Sequence, residues 1–193
     1  EVTTDEQWQE CLDAWEKYLT HPSYLKVGGR AVFKIHGANY FIEQNGGDIE
    51  RCTTQLDSIR ALFAKHGMEV IIGAGVMAAE HVSADNPIAK VFDFTCTYMD
   101  LPDLVRTEDD YAYELLGEHC RMARQVHSKD AIPYMPYMPA GWSPRPWPET
   151  RPFFALPNRA EWRKELTLLQ EDLLNLPNLG LPLPDGSVQA AFN

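Results

Sequence analysis

A segment rich in proline and aromatic residues carries the side chains best suited to ligand chemistry. Residues 134–154, YMPYMPAGWSPRPWPETRPFF, contain six prolines, two tryptophans, two tyrosines, two phenylalanines and two arginines. Prolines fix the backbone angle φ, so side chains carried between them lose little freedom on binding. An indole ring can cover the apolar C–H face of a sugar, and a guanidinium group can donate to its hydroxyls. Trp142, Arg145 and Trp147 therefore predict a sugar platform; the alternative is a proline-rich lid that packs its rings against the rim of the sheet.

Three further residues are predicted to contact the substrate. Tyr98 and Asp93 belong to the predicted strand KVFDFTCTYM, and His36 ends the predicted strand AVFKIHG. Glycosidases need two carboxyl groups across the scissile bond, one as acid and the other as base or nucleophile. Asp93, Asp100 and Asp103 lie at or just after a predicted strand end, but nothing in the sequence pairs any of them with a second carboxylate. No catalytic residue is therefore assigned.

A glycine motif raises a different function. In VIIGAGVMAAE, Gly73, Gly75 and Ala78 follow the G-x-G-x-x-A pattern, and Asp93 lies where a dinucleotide-binding fold places its ribose-binding acid. Against this interpretation, the turn-forming residues 85–87 leave room for only a short helix between the motif and Asp93. The favoured interpretation is a strand end made of small residues.

No metal and no cofactor are predicted. His119 and His127 share a predicted helix but lack the H-E-x-x-H spacing of a zinc site. The four cysteines form no C-x-x-C pair and are predicted to be buried free thiols. They are Cys11, Cys52, Cys96 and Cys120.

Composition limits the partners. The chain has 193 residues, 45% hydrophobic and 23% charged, which is typical of a globular protein rather than a disordered one. Its formal net charge of -11 argues against nucleic acid, whose binding proteins usually carry basic patches. No apolar run approaches the roughly 20 residues that span a bilayer, so no membrane span is predicted.

Helical and strand patterns alternate along the chain, which indicates βαβ units and a parallel sheet. Helices are predicted at 5–19, 52–67, 110–129 and 158–177, the last capped by Asn158. Parallel strands are predicted at 31–36, 69–75, 91–97, 131–137 and 187–192. Two architectures fit this alternation, an open doubly wound sheet and a (β/α)8 barrel. A whole barrel needs more strands than these five, so a barrel would be incomplete.

Three segments of the chain resemble a known family. YLTHPSYLKVGGRAVFKIHG, IPYMPYMPAGWSPRPW and LPNRAEWRKELTLLQEDL are similar to the C-terminal half of glycoside hydrolase family 99, the endo-α-mannosidase group, and of bacterial relatives labelled glycosyltransferase-like proteins of lipopolysaccharide biosynthesis. The residues that match the family's two motifs are Tyr24, Lys26, Gly29, Arg30, Gly141, Trp142 and Arg145, with Ala31 where proline is usual.

This resemblance implies a fold and a function. The implied fold is an incomplete parallel (β/α)8 TIM-barrel type of about five strands, with residues 1–193 as a single domain. The implied function is glycoside hydrolysis of an oligosaccharide or polysaccharide, with the catalytic glutamates expected beyond Asn193 and the chain expected to be an internal piece. A non-catalytic glycan-binding protein is the second hypothesis, and an NAD-dependent oxidoreductase is the third.

Overall fold

The computed structural model describes residues 2, 4–76, 81–98, 100–143 and 151–193. Within these ranges the chain forms a mixed five-stranded sheet, a separate two-stranded hairpin and six helices. Among the same residues, no helix has the length and apolar character needed to cross a lipid bilayer.

The central sheet is curled and contains five strands in chain order. They are β1 (Lys26–Val27), β2 (Arg30–Ile35), β3 (Val70–Val76), β4 (Phe94–Thr97) and β5 (Tyr134–Met135). Strand β1 is antiparallel to β2, whereas β2, β3, β4 and β5 are mutually parallel. A second, antiparallel pair consists of β6 (Leu181–Pro182) and β7 (Val188–Gln189).

Helices follow or precede the parallel strands. They are α1 (Asp5–Leu19), α2 (Ala38–Gln44), α3 (Ile49–Lys65), α4 (Pro87–Val91), α5 (Tyr113–His127) and α6 (Arg159–Asn175). The predicted cap at Asn158 is confirmed, because its side chain accepts from the N–H groups of Ala160 and Glu161. Thr4 forms an equivalent capping box with Gln7 at the start of α1.

The predicted fold class, a parallel (β/α)8 TIM-barrel type, is wrong, because the sheet is mixed and residues 187–192 form no parallel strand in it. Gly28 and Gly29 have φ angles of 56° and 82°, which suit the tight two-residue turns that join antiparallel strands. Between β6 and β7, Asp185 accepts hydrogen bonds from the backbone and side chain of Ser187. Local turn chemistry therefore produces both antiparallel pairs.

The other predicted strands are confirmed as a parallel set. Strands 31–36, 69–75, 91–97 and 131–137 correspond to β2, β3, β4 and β5. Strand β5 is only two residues long, since Pro133 and Pro136 flank it and proline has no N–H for a ladder.

The C-terminal residues lie along the outer edge of β5. Tyr134 forms a parallel bridge with Leu179. Farther along, the N–H of Asn193 donates to the carbonyl of Pro136 at 2.9 Å, and its carbonyl accepts from Met138 at 2.8 Å, which is the pattern of a parallel pair. The residues directly before and after the β6–β7 hairpin thus cover the backbone edge of β5 and of the residues that follow it.

The sheet is buried on both faces. The outer face packs against α1, α2 and α3 in the largest apolar cluster, which includes Ala31, Ile72, Ala74 and Phe63. The inner face carries a smaller cluster that Leu181 of the hairpin completes. The sheet residues of that inner cluster are Ile71, Phe94, Cys96 and Met135.

The cysteines are free thiols, as predicted. Cys52, Cys96 and Cys120 are buried, whereas Cys11 is partly exposed on α1. Burial raises the pKa of all three buried thiols, and that of Cys120 rises to about 12. Because the thiolate is the reactive form, these three thiols are inert at neutral pH.

Helices α5 and α6 meet through buried polar groups. A Cβ atom at Gly117 would lie 2.5 Å from Cδ of Glu165, so the Glu165 carboxyl packs directly against the backbone of α5. Arg124 Nε donates to Asp172 Oδ2 at 2.7 Å across the same interface. Burial raises the pKa of Glu165, and the positive charge of Arg124 opposes that shift.

We expect Gly73→Ala to destabilise the protein by about 1–3 kcal/mol, the usual cost of overpacking a core. A Cβ atom at Gly73 would lie 2.3 Å from the Phe94 ring, its partner in the β3–β4 register. Urea unfolding measures the cost. The same substitution in a Phe94→Leu background should cost less, because the smaller side chain leaves room for the methyl group. Equal costs in both backgrounds would contradict this assignment.

We expect Glu165→Gln to make the free energy of unfolding less dependent on pH. A carboxyl group whose pKa is raised in the folded state contributes stability below its ordinary pKa and loses that contribution as pH rises through the folded value. The wild type should therefore lose stability relative to the Gln variant as pH increases above about 4.5, the ordinary pKa of the group. Glu171→Gln, at an exposed position on the same helix, is the matched control and should leave the profile unchanged.

Candidate functional site

The carboxyl ends of the four parallel strands meet at one edge of the sheet. Ligands of open parallel sheets bind at this edge, because loops after the strands converge there while the strands hold them rigid. His36 directly follows β2, Gly75 lies near the end of β3, and Tyr98 directly follows β4. Tyr137 follows β5 by two residues. This edge of the sheet therefore has the best position for a ligand site.

His36 and Tyr98 come together at this edge, although they are far apart in the sequence. Their ring centroids lie 5.3 Å apart with the planes at 89°, an edge-to-face contact. Tyr98 is 59% exposed, so most of its ring is accessible to a ligand. Two of the predicted contact residues thus share one surface.

Trp142 lies on the other side of Tyr98, and the two residues line one cavity of about 190 Å³. Its remaining walls include Leu101, Leu116 and Tyr137. The indole is partly buried, and its Nε1–H is a buried donor with no hydrogen-bond partner among the described residues. The guanidinium of Arg151 lies 5.4 Å from the centroid of the indole ring.

Backbone contacts fix the position of Trp142. Trp142 and Phe154 exchange two backbone hydrogen bonds of 3.3 and 2.7 Å as an isolated antiparallel bridge. Gly141 has a φ of 93°, and a Cβ atom there would lie 2.9 Å from the carbonyl oxygen of Ala155. Glycine is therefore required directly before Trp142, and the ends of the proline-rich segment are held together.

Tyr137, which lines this cavity, is hydrogen-bonded to the chain that follows β4. The hydroxyl of Tyr137 donates to the carbonyl of Asp100 at 2.5 Å and accepts from the N–H of Asp100 at 3.1 Å. The carboxylate of Asp100 lies 3.1 Å from Nε2 of His119 on α5. Burial raises the pKa of Tyr137 and of Cys120, so both stay protonated at neutral pH. These contacts fix the chain after β4, which carries Tyr98.

Asp93 lies at the opposite edge of the sheet. It precedes β4, and its carboxylate accepts a 2.7 Å hydrogen bond from the N–H of Ile72 and contacts Arg60 Nη2 at 3.3 Å. The structure does not bring Asp93 together with His36, Tyr98 or Trp142. Its carboxylate instead joins α3 to the sheet.

Arg145 and Trp147 lie outside the described residues. Of the three residues of the predicted sugar platform, only Trp142 is among the described residues.

Gly73 and Gly75 both lie inside β3, where Gly73 pairs with Lys34 and Phe94 on either side and Gly75 pairs with Cys96. A dinucleotide-binding motif instead places its glycines in the turn that leads from a strand into a helix. The Phe94 ring covers Gly73, while the carbonyl oxygen of Ile35 would lie 2.9 Å from a Cβ atom at Gly75. Close packing within the sheet accounts for both glycines.

A second cavity at this edge was not anticipated from the sequence. It measures about 240 Å³ and lies between α1, α2 and the end of β2. Trp8 and Trp15 line it from α1, and Tyr40 lines it from α2, a helix that the sequence did not predict. An αL glycine, Gly37 with a φ of 73°, starts this helix and is the one local signal in the sequence.

A larger depression lies elsewhere and is not a candidate site. It measures about 790 Å³, and the described residues that line it all belong to α6, among them Arg159, Arg163 and Lys164. None of these residues follows a strand end. Within the described ranges, no group of three or more His, Cys, Asp and Glu side chains could hold a metal ion.

Comparisons with protein-family models, with curated proteins and with solved structures find no match for this chain. The resemblance to glycoside hydrolase family 99 stays a prediction.

We expect Asp93→Ala to lower the free energy of unfolding by about 1–3 kcal/mol, because it leaves the buried N–H of Ile72 without an acceptor. Asp57→Ala is the matched control, since it removes the other carboxylate that pairs with Arg60 but from a side chain that is 61% exposed. That control should change stability by less than about 1 kcal/mol. Urea unfolding measures both, and a stability loss as large in the control as in Asp93→Ala would contradict the structural role of Asp93.

Proposed function

We propose that this protein binds an oligosaccharide or polysaccharide in the cavity between Tyr98 and Trp142. The observation that carries the proposal is the cavity itself, which lies at the carboxyl edge of the sheet and has an exposed tyrosine ring on one side and an indole with an unused N–H on the other.

The physical basis is the two-sided character of a sugar. Its C–H faces stack on aromatic rings, and its hydroxyls both donate and accept hydrogen bonds. Tyr98 supplies a ring face and a hydroxyl, and Trp142 supplies a donor. A formal net charge of -11 disfavours polyanionic ligands, so a neutral glycan fits the charge of the chain.

Glycoside hydrolysis is the activity that we propose for the site on the basis of the resemblance to family 99. Hydrolysis needs two carboxyl groups near the scissile bond. Of the described carboxylates near the strand ends, Asp100 is buried against His119, and Glu43 lines a neighbouring cavity. Binding is therefore tested first and hydrolysis second.

We expect Tyr98→Ala to weaken glycan binding by about tenfold, the equivalent of about 1.4 kcal/mol for one aromatic contact. Trp142→Phe keeps an aromatic ring but removes the indole N–H, and it should weaken binding several-fold through the loss of one hydrogen bond worth about 1 kcal/mol. A glycan array selects the probe, and calorimetry measures the affinities.

Tyr18→Ala is the matched control, because Tyr18 is 67% exposed, compared with 59% for Tyr98, and lines none of the cavities described above. It should leave the affinity unchanged, and all three variants should melt close to the wild type. Wild-type protein that retains no glycan on the array would overturn the proposal. Unchanged affinity in both Tyr98→Ala and Trp142→Phe would remove the site from this cavity. Release of shorter sugars from a retained glycan would establish hydrolysis.

A further inference from the structure

The cavity between α1 and α2 has the chemistry of a sugar site in its own right. Its aromatic side chains are Trp8, Trp15 and Tyr40. The two tryptophans contact each other edge to face at 5.6 Å, and Trp8 Nε1 donates to Ser58 at 2.8 Å, so this wall is rigid. Tyr40 is different, because it is 66% exposed and its ring is available to a ligand.

Amide groups, together with Lys34 and His36, supply the polar side of this cavity. Asn45 Nδ2 donates to the carbonyl of Phe41 at 2.9 Å and to Gln55 Oε1 at 2.8 Å. Both hydrogens of the Asn45 amide are therefore used, and its own oxygen and the Gln55 amide nitrogen have no other partner among the described residues. One amide acceptor and one amide donor thus remain beside the aromatic wall, which suits a ligand with several hydroxyls.

The two cavities lie next to each other along the edge of the sheet. A third cavity of about 210 Å³ shares Gly37 and Tyr40 with the α1–α2 cavity and reaches Gly75 at the end of β3. His36 lines the α1–α2 cavity, and its ring contacts Tyr98, which lines the Trp142 cavity. The strands β2 and β5, which lead to the two cavities, are three strand spacings apart, roughly 14 Å.

We propose that the α1–α2 cavity is a second sugar subsite, and that the ligand is an extended glycan chain that runs from Tyr40 past His36 and Tyr98 to Trp142. This inference rests on the proposed function, and it adds that short and long chains bind with different affinities. Each monosaccharide stacks or hydrogen-bonds at its own cavity, so a chain long enough to reach Tyr40 gains contacts that a disaccharide at Trp142 lacks. The competing occupant is the N-terminal segment of this chain, because Val2 also lines the α1–α2 cavity.

The test compares α-linked mannobiose with α-linked mannohexaose on the wild type and on Tyr40→Ala. We expect the hexasaccharide to bind the wild type at least about tenfold more tightly than the disaccharide, and Tyr40→Ala to lose about tenfold for the hexasaccharide alone. Tyr18→Ala is the control, because its exposure of 67% matches the 66% of Tyr40. It should bind both probes like the wild type. Calorimetry at one pH and one salt concentration measures all affinities.

The outcomes separate this inference from the function on which it rests. The second subsite is overturned if the wild type binds both probes with equal affinity, or if Tyr40→Ala binds the hexasaccharide like the wild type. Either result favours occupation of the α1–α2 cavity by the N-terminal segment and leaves binding at Tyr98 and Trp142 intact. Equal losses for both probes in Tyr40→Ala also overturn the extended chain, because they place the disaccharide itself at Tyr40. Failure of the wild type to bind either probe contradicts this inference together with the mannose-type ligand.

Discussion

The contact between Phe94 and Gly73 is the constraint on which the inner half of the structure depends. These residues are register partners on β4 and β3, and the Phe94 ring occupies the space where a side chain at Gly73 would stand. The ring lies in the same cluster as Ile71 and as Leu181 of the β6–β7 hairpin. A change in this close approach would disturb the packing of the hairpin against the inner face, since the members of the cluster pack closely together.

The same alternation continues to the candidate site. Side chains two residues apart point to the same face of a strand, so Gly75 lies above Gly73 at the carboxyl end of β3. A Cβ atom at Gly75 would meet the Ile35 carbonyl oxygen at 2.9 Å and Cα of His36 at 3.1 Å. The missing side chain allows β2 to end close against β3, and this places the His36 ring within reach of Tyr98. Core packing and the geometry of the site are therefore set by one run of small residues.

Patterns in the sequence predicted the parallel strands and four of the six helices, because periodicity reports burial and burial follows the sheet and its covering helices. The Gly28–Gly29 turn and the β6–β7 hairpin were missed, since short antiparallel pairs depend on turn residues rather than on long apolar runs. Helix α2 was also missed, because its seven residues are too short for a periodic signal. Because α2 was not predicted, the cavity that Tyr40 lines was not predicted either.

For the candidate site, too, the sequence placed some residues correctly on the chain but not others. Tyr98, His36 and Trp142 lie near one another because each follows a strand, and parallel strands bring such positions together. Asp93 was assigned to the same surface, but the sequence does not show where a strand begins, and β4 starts one residue after it. Which cavity an exposed ring faces is a tertiary property, and no local pattern reports it.

Electrostatics at the edge of the sheet favour the same class of ligand as its shape. Below the Tyr98–Trp142 cavity, Tyr137 and Cys120 remain neutral because burial disfavours their charged forms, and the Asp100 carboxylate lies 3.1 Å from the His119 ring. In the α1–α2 cavity the polar side chains are the amides of Gln44, Asn45 and Gln55 together with Lys34 and His36, and all of them can form hydrogen bonds with a hydroxyl group. An ionic ligand would lose much of its hydration in either cavity. A neutral polyhydroxylated chain loses less, because rings cover its apolar faces while the indole N–H and the amides meet its hydroxyls.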